Sequence, residues 1–345
     1  MSPILCPTPP LRIGIAGLGR LGRRHAENLA YRIRNTRLVW ACSPIASELD
    51  DARSQLGIEH VTSDFDRMVH APDVDAIVLV TPTALHAQQT IAALEAGKHV
   101  FVEKPLALEV ADCERVEAVA AQHPDRVAMV GFVRRFDASY RRAYDHIRQG
   151  AIGQPFLVRS QTCDMNDPSG FFVRYAAQSG GIFMDCSVHD IDLARWILGN
   201  PRALRAYASG TIAIHTGLAA HADVDNGLAI VDFEGGGRAV FYASRTFAHG
   251  HETQTEIMGS AGKLLIGHGA ERDRLVTSDC HGVRHASTSD FFERFSDAFL
   301  NEMDAFVSAC RGESALNLSL SDATEATRIG QAITRSLRSG QVEIF

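Results

Sequence analysis

The sequence of 345 residues predicts an α/β protein in two parts: a doubly wound parallel sheet, then an α+β domain with an open, mainly antiparallel sheet. Short apolar runs alternate with helical patterns over residues 11–130, as in a parallel sheet with helices on both faces. After about residue 131 the strands are grouped together and helices follow them, which is typical of an α+β domain. We therefore predict one domain over residues 1–130 and a second over 131–345.

The elements of the first part follow from local patterns. "DAIVLVTP" is a continuous apolar run that ends at a proline, which is typical of a parallel strand buried on both faces. Gly97 is a helix-stop residue and marks the end of the helix before it. The other predicted strands are "LRIGIAG", "RLVWAC", "KHVFVEKP" and "RVAMVGF", and the predicted helices cover residues 20–33, 45–56, 83–96 and 108–122.

The second part begins with a predicted helix over residues 137–149 and a strand at "QPFLVRSQTC". The apolar stretch 180–198 predicts a buried helix, and "EGGG" at 234–237 predicts a hairpin turn. Strands are predicted within "ALRAYASGTIAIH", "NGLAIVDFEGG", "GRAVFYASRT" and "TQTEIMGSAGKLLIG", and helices over 291–311 and 321–338.

Charge and cysteine usage exclude several classes of protein. The net charge of −7, without a run of Lys or Arg, argues against a nucleic-acid partner. The cysteines number seven, are widely spaced and form no CxxC pair, so we expect neither a disulfide framework nor a zinc site. The N-terminus lacks a signal-peptide pattern, and no uninterrupted apolar run is long enough to span a membrane. We therefore expect a cytoplasmic protein without a membrane partner.

A glycine-rich loop indicates a dinucleotide cofactor. In "GIAGLGRLGRRH", Gly17, Gly19 and Gly22 form a GxGxxG motif that follows a strand and opens a helix. Gly17 would permit the tight turn, Gly19 the approach of the pyrophosphate, and Gly22 close packing of helix on strand. The intervening residues of the loop are also expected to contact the cofactor: Leu18, Arg20 and Leu21. The alternative is a glycine-rich turn with a purely structural role.

The choice between NAD and NADP depends on the end of the second strand. An acidic residue about 20 positions beyond the motif usually binds the adenosine ribose. In this sequence that place falls on Ser43, in "ACSP". There is no carboxylate there to repel a 2′-phosphate and no arginine beside it to bind one. A serine can bond a ribose hydroxyl, so we favour NAD and leave NADP open.

Two loops follow the later parallel strands, where such enzymes bind their ligands. The first, "TPTALH", contains Thr81, Pro82 and His86, and the second, "EKP", contains Glu103 and Lys104. Lys104 follows a buried strand and should emerge at the rim where a nicotinamide would lie. The alternative is an ordinary surface lysine.

The apolar helix predicted over 180–198 carries three ionisable groups on one face. Asp185, His189 and Asp192 are spaced i, i+4 and i+7, and burying such groups costs free energy unless they are paired. A histidine near neutrality suits a base that accepts a hydroxyl proton, with a carboxylate to orient it and an ammonium to stabilise negative charge. The alternatives are a core histidine bonded to either aspartate, or a cation site formed by all three residues.

Several motifs together resemble the Gfo/Idh/MocA oxidoreductases. They are "GLGRLG", "TPTALH", "VEKPLAL", "GFVRRFD" and "GGIFMDCSVHDID", and their order fits from residue 11 to the C-terminal helix. Within that family, "GFVRRFDASY" and "FFERFSDAFLNEMDAFVSACRGE" are typical of inositol 2-dehydrogenases. The resemblance implies a Rossmann domain that binds NAD, a second domain that binds a polyol, and a homotetramer built through the open sheets.

The resemblance also assigns roles to individual residues. Lys104, Asp185 and His189 would be the catalytic group, and Pro105 would follow a cis peptide bond. In the pair Arg134 and Arg135, one guanidinium would reach the polyol, for which we take Arg134.

The sequence departs from the resemblance at two places. Ser43 replaces the aspartate that is common in NAD-linked members. The second departure is "HGHE", His249 to Glu252, which stands where inositol dehydrogenases often have a tyrosine. His251 would then bind substrate, and the smaller side chain would favour another inositol isomer or a pyranose. The alternative is that these histidines are solvated turn residues. Three alternatives to inositol oxidation stay open: oxidation of a pyranose to a lactone, an NAD-dependent glycosidase, and a non-catalytic dinucleotide-binding regulator.

Overall fold

A computed structural model describes residues 9–267, 269 and 271–345. The chain divides into two compact units. The first contains the chain as far as Ala107, together with Ala111–Gly131 and Phe299–Ser321, and the second contains Leu108–Val110, Phe132–Ala298 and Asp322–Phe345. The break after Gly131 lies next to the predicted boundary at 130, but the return of residues 299–321 to the first unit was not predicted. A helical pattern shows which face of a helix is buried, and it does not show against which partner.

The first unit is built on a six-stranded sheet in the order β3-β2-β1-β4-β5-β6, and every neighbouring pair is parallel. This confirms the predicted doubly wound sheet. Its strand order reverses between β1 and β4, which is where such sheets bind ligands. The strands are β1 Leu11–Ala16, β2 Thr36–Cys42, β3 His60–Thr62, β4 Ala76–Leu79, β5 His99–Glu103 and β6 Ala128–Gly131.

The helices of this sheet follow the predicted ranges within a few residues. They are α1 Arg20–Tyr31, α2 Ala46–Leu56, α3 Phe65–Val69, α4 Thr83–Glu95 and α5 Val110–Ala120. Strand β3 and helix α3 were not predicted, because three and five residues are too few for a periodic pattern. Asp64 begins α3 by accepting hydrogen bonds from the backbone of Asp66 and Arg67.

The second unit contains a seven-stranded sheet in the order β12-β11-β7-β10-β9-β8-β15. Only the β7–β10 pair is parallel, which confirms a mainly antiparallel sheet. The predicted "EGGG" turn joins β9 to β10, and the backbone N–H of Phe233 donates to the carbonyl of Gly237 across it at 2.8 Å. The strands are β7 Pro155–Met165, β8 Ala203–Thr211, β9 Asn226–Phe233, β10 Arg238–Phe247, β11 Glu252–Gly259, β12 Gly262–Ile266 and β15 Glu343–Ile344. A separate hairpin, β13 Glu271–Asp279 with β14 Gly282–Ser287, was not predicted.

One face of this sheet is covered by helices, and α9 packs on β7 and β10. On β8 and β9 the opposite side chains, among them Tyr207, Leu228 and Ile230, are exposed. The remaining helices are α6 Ala138–Arg148, α7 Phe171–Ser179, α8 Ile182–Asp185, α9 Val188–Leu198, α10 Phe291–Arg294, α11 Ser296–Cys310 and α12 Leu320–Ser339. In the part of the chain that is described, no helix has the length and apolarity needed to cross a membrane.

The stretch 180–198 departs from the single helix that the sequence predicted. Gly181 has a φ of +94°, α8 has four residues, and Cys186 and Ser187 separate it from α9. Asp185 therefore ends one helix, and His189 lies in the first turn of the next. Apolar residues continue through the interruption because almost every residue of α8 and α9 is buried, so the break left no mark on the sequence pattern.

Candidate active site

The glycine loop between β1 and α1 has the geometry that a dinucleotide needs. Gly17 has a φ of +86°, and a Cβ there would lie 2.3 Å from the carbonyl oxygen of Val80. A Cβ on Gly22 would lie 2.0 Å from the carbonyl oxygen of Gly17. Around Gly19, by contrast, a Cβ would meet no atom within 4 Å, so the backbone faces open space at the helix N-terminus. Two glycines thus permit close packing, and the third leaves open space beside the helix N-terminus; the contact of this loop with a pyrophosphate stays a prediction.

A cavity of about 540 Å³ lies beside this loop. Leu18, Gly19 and Arg20 line one part of it, and Glu48 and Asp51 of α2 line another. Ser43, the residue predicted to bind the ribose, is buried, and its hydroxyl donates to Oε2 of Glu48 at 2.5 Å. A carboxylate therefore does stand near the end of β2, and the sequence pattern missed it because it comes from the following helix.

The two loops beyond β4 and β5 are joined by His86. Its Nδ1 lies 2.9 Å from the carbonyl oxygen of Pro105, and its Nε2 lies 2.7 Å from that of Thr81. Burial lowers the pKa of His86, although both carbonyl contacts oppose this. The Lys104–Pro105 peptide bond is cis, as the resemblance implied. The imidazole thus holds the "TPT" and "EKP" loops together.

Lys104 follows directly after β5, and Pro82 directly precedes α4. Lys104 is partly exposed, and its backbone N–H donates to Oε2 of Glu103 at 3.2 Å. The hydroxyl of Thr81 donates to Oε1 of Gln89 at 2.6 Å. These residues lie at the carboxyl ends of parallel strands, as the sequence predicted, where Rossmann sheets bind their ligands.

In the second unit, Asp185 is held by an arginine that the sequence analysis missed. Nη2 of Arg245 donates to Oδ2 of Asp185 at 3.0 Å, and Nη1 lies 3.3 Å from Oδ2 of Asp223. Arg245 is completely buried, its guanidinium packs over the ring of Phe172, and it comes from strand β10. The sequence did offer a signal for Arg245. It is an arginine at an inward-facing position of a strand whose other inward-facing residues are small or apolar.

His189 is partly exposed and its ring packs edge-on against Phe132, with centroids 6.1 Å apart. Asp192 does not share its surroundings: both of its carboxylate oxygens bind Arg135, at 2.8 and 2.5 Å. The cation site of Asp185, His189 and Asp192 that the spacing allowed is therefore not supported, because Asp192 is committed to an arginine. The same bidentate pair explains how Asp192 can be buried.

Arg134 is buried and pairs with Asp190, another residue that the sequence analysis did not single out. Its Nη1 donates to Oδ1 of Asp190 at 2.7 Å, and its Nη2 donates to the hydroxyl of Thr162 at 2.7 Å. Asp190 also accepts hydrogen bonds from Ser160 and Thr162, both at 2.6 Å. The carboxylate is thus fully satisfied by β7 and by Arg134, which ties α9 to the sheet. The expected contact of Arg134 with a polyol stays a prediction.

The "HGHE" stretch separates into two different histidines. His249 is exposed and lies 3.3 Å from Glu252. His251 is buried, and its Nδ1 lies 2.9 Å from Oδ1 of Asp164. Burial opposes ionisation of Asp164, but the contact with His251, the charge of Arg245 and a hydrogen bond from Cys186 together hold the pKa of Asp164 below its usual value. The alternative of a solvated turn residue therefore fits His249, which is exposed, but does not fit His251, which is buried.

A second group of ionisable side chains lies inside the first unit. His25, Glu103 and Glu302 are all buried, and each offers a ligand atom within 4.8 Å of the others. Nε2 of His25 lies 2.7 Å from Oε1 of Glu103. Neither carboxylate oxygen of Glu302 has a hydrogen-bond partner within the described residues, and burial, reinforced by the charge of Glu103, raises its pKa well above the usual range. The buried environment of Glu302 thus favours the protonated form of its carboxyl group.

The parallel sheet, the glycine loop and the adjoining cavity define a dinucleotide-dependent oxidoreductase. Residues 11–132 match the description "Oxidoreductase family, NAD-binding Rossmann fold", and residues 140–265 match "GFO/IDH/MocA C-terminal domain". The chain belongs to the Gfo/Idh/MocA family of oxidoreductases, and its cofactor is NAD.

Named relatives are similar over nearly the whole chain. The scyllo-inositol 2-dehydrogenase (NAD(+)) of Bacillus subtilis is 33% identical over 330 residues, which cover 96% of this chain and 95% of that protein. The myo-inositol 2-dehydrogenase of Thermotoga maritima is 32% identical, covering 95% and 96%. The crystal structure of scyllo-inositol dehydrogenase from Lactobacillus casei with bound NAD(H) and scyllo-inositol has a TM-score of 0.94 at 37% identity, covering 97% and 99%.

Proposed function

We propose that this protein is an NAD-dependent dehydrogenase that oxidises one ring hydroxyl of a cyclic polyol, with inositol as substrate and an inosose as product. The observation that carries the proposal is the buried Arg245 holding Asp185, four residues before His189, in a chain that also has an NAD-type glycine loop. The names of the relatives support the substrate class.

Two roles in the reaction fall to residues of this chain: one group binds the cofactor, and another accepts the proton of the substrate hydroxyl. The loop shaped by Gly17, Gly19 and Gly22 would hold the pyrophosphate of NAD at Gly19. When NAD is bound, its nicotinamide ring supplies the acceptor for a hydride from the substrate carbon. His189 takes the hydroxyl proton, because an imidazole can exchange a proton near neutral pH. Lys104 donates to the same oxygen and stabilises it as negative charge grows.

Asp185 fixes the substrate or the ring of His189. Its carboxylate cannot rotate freely, because Arg245 binds Oδ2 with a guanidinium that is itself buried. Fixing such a group in advance lowers the entropic cost of reaching the reactive geometry. Arg245 is a positioning residue by this argument, since it acts through Asp185.

A polyhydroxylated ring suits the remaining polar groups of the second unit. Hydroxyls both donate and accept, and Asp164 offers an acceptor while Nε2 of His251 has no hydrogen-bond partner within the described residues. The buried Nε of Arg134 is a further donor without a partner there. We propose that His251 and Arg134 bind the hydroxyls that are not oxidised. A pyranose carries the same groups, so aldose oxidation to a lactone is the second candidate.

We also propose that the protein acts in the cytoplasm as a homotetramer. All six cysteines in the described ranges are free thiols, whereas Cys6 lies outside them, and a reducing compartment suits this pattern. The exposed aliphatic and aromatic side chains on β8 and β9 provide an apolar face for assembly.

The decisive test follows absorbance of the reduced cofactor while inositols, hexoses and pentoses are offered with NAD and with NADP. We expect growth of NADH absorbance with an inositol. His189→Ala and Lys104→Met should each lower the rate by about 100- to 10,000-fold. The matched controls are His281→Ala and Lys263→Met, which change exposed residues.

Three results would contradict the proposal. Near-normal turnover by either catalytic variant would remove its assigned role. Release of an aglycone from glycosides without net NADH would indicate a glycosidase. No turnover with any polyol or sugar, despite NAD binding, would favour a regulator built on the same fold.

A further inference from the structure

The end of β2 lacks the acidic residue that usually contacts the adenosine ribose of NAD, and helix α2 provides one instead. We propose that Glu48 receives the ribose hydroxyls and selects NAD against NADP. Ser43, which occupies the usual place, supports Glu48 rather than binding the ribose itself.

The hydroxyl of Ser43 is already committed within the protein. It donates to Oε2 of Glu48 at 2.5 Å and accepts from the backbone N–H of Ile45 at 3.1 Å. The backbone N–H of Ser43 donates to the carbonyl of Thr62 at 3.1 Å, which fixes the residue beside β3. The side chain is 1% exposed, so a ribose would have to displace Glu48 to reach it.

Glu48 itself lies in the cavity beside the glycine loop, where we expect the adenosine ribose to bind. It lines the cavity of about 540 Å³ together with Leu18 and Gly19 of the glycine loop. In Rossmann domains the ribose lies between that loop and the end of the second strand. One oxygen of Glu48 is held by Ser43, and the other, Oε1, has no hydrogen-bond or ion-pair partner across residues 9–267, 269 and 271–345. An ionised carboxylate only accepts hydrogen bonds, and a ribose diol offers two donors.

Arg23, one of the arginines that line the same cavity, is already paired with carboxylates of the protein. Nε of Arg23 binds Glu27 at 3.0 Å, and its Nη1 lies 3.4 Å from Asp51. This guanidinium is thus balanced by two carboxylates of the same cavity. A 2′-phosphate placed against Glu48 would meet a negative charge at short range, and such repulsion costs affinity even when water screens part of it.

The test measures binding of NAD and NADP to the full chain by calorimetry, without any polyol. Wild-type protein should bind NAD more tightly than NADP. Glu48→Gln should weaken NAD and strengthen NADP, changing the ratio of the dissociation constants by about 10- to 100-fold, because a charge-assisted hydrogen bond and a repulsion are both lost. Ser43→Ala should shift the ratio in the same direction by less, since Glu48 remains and only its support is removed.

The matched control is Asp50→Asn, which removes the same charge from the same helix but at an exposed residue that does not line the cavity. Its ratio should stay within about twofold of the wild-type ratio. Thermal unfolding shows that each variant is folded.

The proposal is overturned if Glu48→Gln leaves the ratio unchanged, if Asp50→Asn shifts it as much, or if folded wild-type protein binds NADP more tightly or binds neither cofactor. Because binding is measured without substrate, failure of the proposed polyol oxidation is a separate result.

Discussion

Arg245 of strand β10 and Asp185 of helix α8 are joined by a hydrogen bond of 3.0 Å between Nη2 and Oδ2. The arginine is completely buried, whereas the aspartate side chain is 23% exposed. The interior of the second unit therefore fixes a carboxylate that still reaches solvent. Positional control of this kind is what a group that contacts substrate requires.

Arg245→Lys tests this relationship. A lysine keeps the charge but lacks the planar fork that binds Asp185 and Asp223 together, so Asp185 loses its fixed orientation. We expect kcat/KM for the polyol to fall by about 10- to 100-fold while NAD binding is unchanged. Steady-state kinetics and calorimetry measure the two quantities. Arg205→Lys, which alters an exposed pair with Asp232, is the control; normal kcat/KM in Arg245→Lys would show that Asp185 needs no such support.

His251→Phe tests the role of the buried histidine in substrate binding. The change keeps an aromatic ring against Phe291 and Phe295 but removes Nε2 as an atom that can form a hydrogen bond. KM for the polyol should rise about tenfold or more, because one hydrogen bond to a hydroxyl is lost and Asp164 loses its partner. His249→Phe, at the exposed histidine of the same turn, should leave KM unchanged. An equal effect of both variants would contradict the distinction between them.

Glu302→Gln should change how stability depends on pH. The pKa of Glu302 is raised in the folded protein, so the folded state keeps a proton that the unfolded state releases above its own pKa. Stability is therefore lost as pH rises above the unfolded value of about 4.5, at up to about 1.4 kcal/mol per pH unit until the folded pKa is reached. Glutamine has no such proton, so the variant should gain stability relative to wild type as pH rises.

The measurement is the denaturation midpoint of both proteins between pH 5 and pH 8. Glu95→Gln, at an exposed residue of the same unit, should follow the wild-type curve. Parallel curves for Glu302→Gln and wild type would mean that Glu302 titrates normally in the folded protein.

Ile230→Lys tests the proposed assembly. Ile230 lies on β9 opposite Tyr207 of β8 and Val240 of β10, on the exposed face of the sheet. Light scattering should give four times the chain mass of 37.5 kDa for wild type and a smaller mass for the variant, since a buried lysine charge opposes association. Tyr31→Lys, at an exposed aromatic of the first unit, should keep the wild-type mass. An unchanged mass for folded Ile230→Lys would place the interface elsewhere.

Local patterns were sufficient for most of the fold. Five of the six parallel strands were visible as short apolar runs, whereas β3 was too short to give a pattern. Gly17, Gly19 and Gly22 identified the loop because their spacing reflects backbone geometry within a few residues. The break between α8 and α9 could not be seen, because apolar residues continue across it and almost all of both helices is buried.

The partners of the site residues were less predictable, because they come from distant parts of the chain. Arg245 is 60 residues from Asp185, and Arg134 is 56 residues from Asp190. Spacing on a helix drew attention to Asp192, whereas Asp190 is the aspartate that binds Arg134. Periodicity predicts which residues of a helix share a face. It does not predict which aspartate pairs with which arginine, because that depends on the folded chain.

The return of residues 299–321 to the first unit bears on how the chain matures during synthesis. Phe299 covers His25, and Phe306 covers Phe101, with ring centroids 5.7 and 5.8 Å apart. When only the first 131 residues have been synthesised, every strand of the parallel sheet is present, but Phe299 and Phe306 are not. The first unit therefore begins to be synthesised first, but it is completed only when residues 299–321 have been added. A chain that ends before Phe299 would contain the parallel sheet with part of its core exposed.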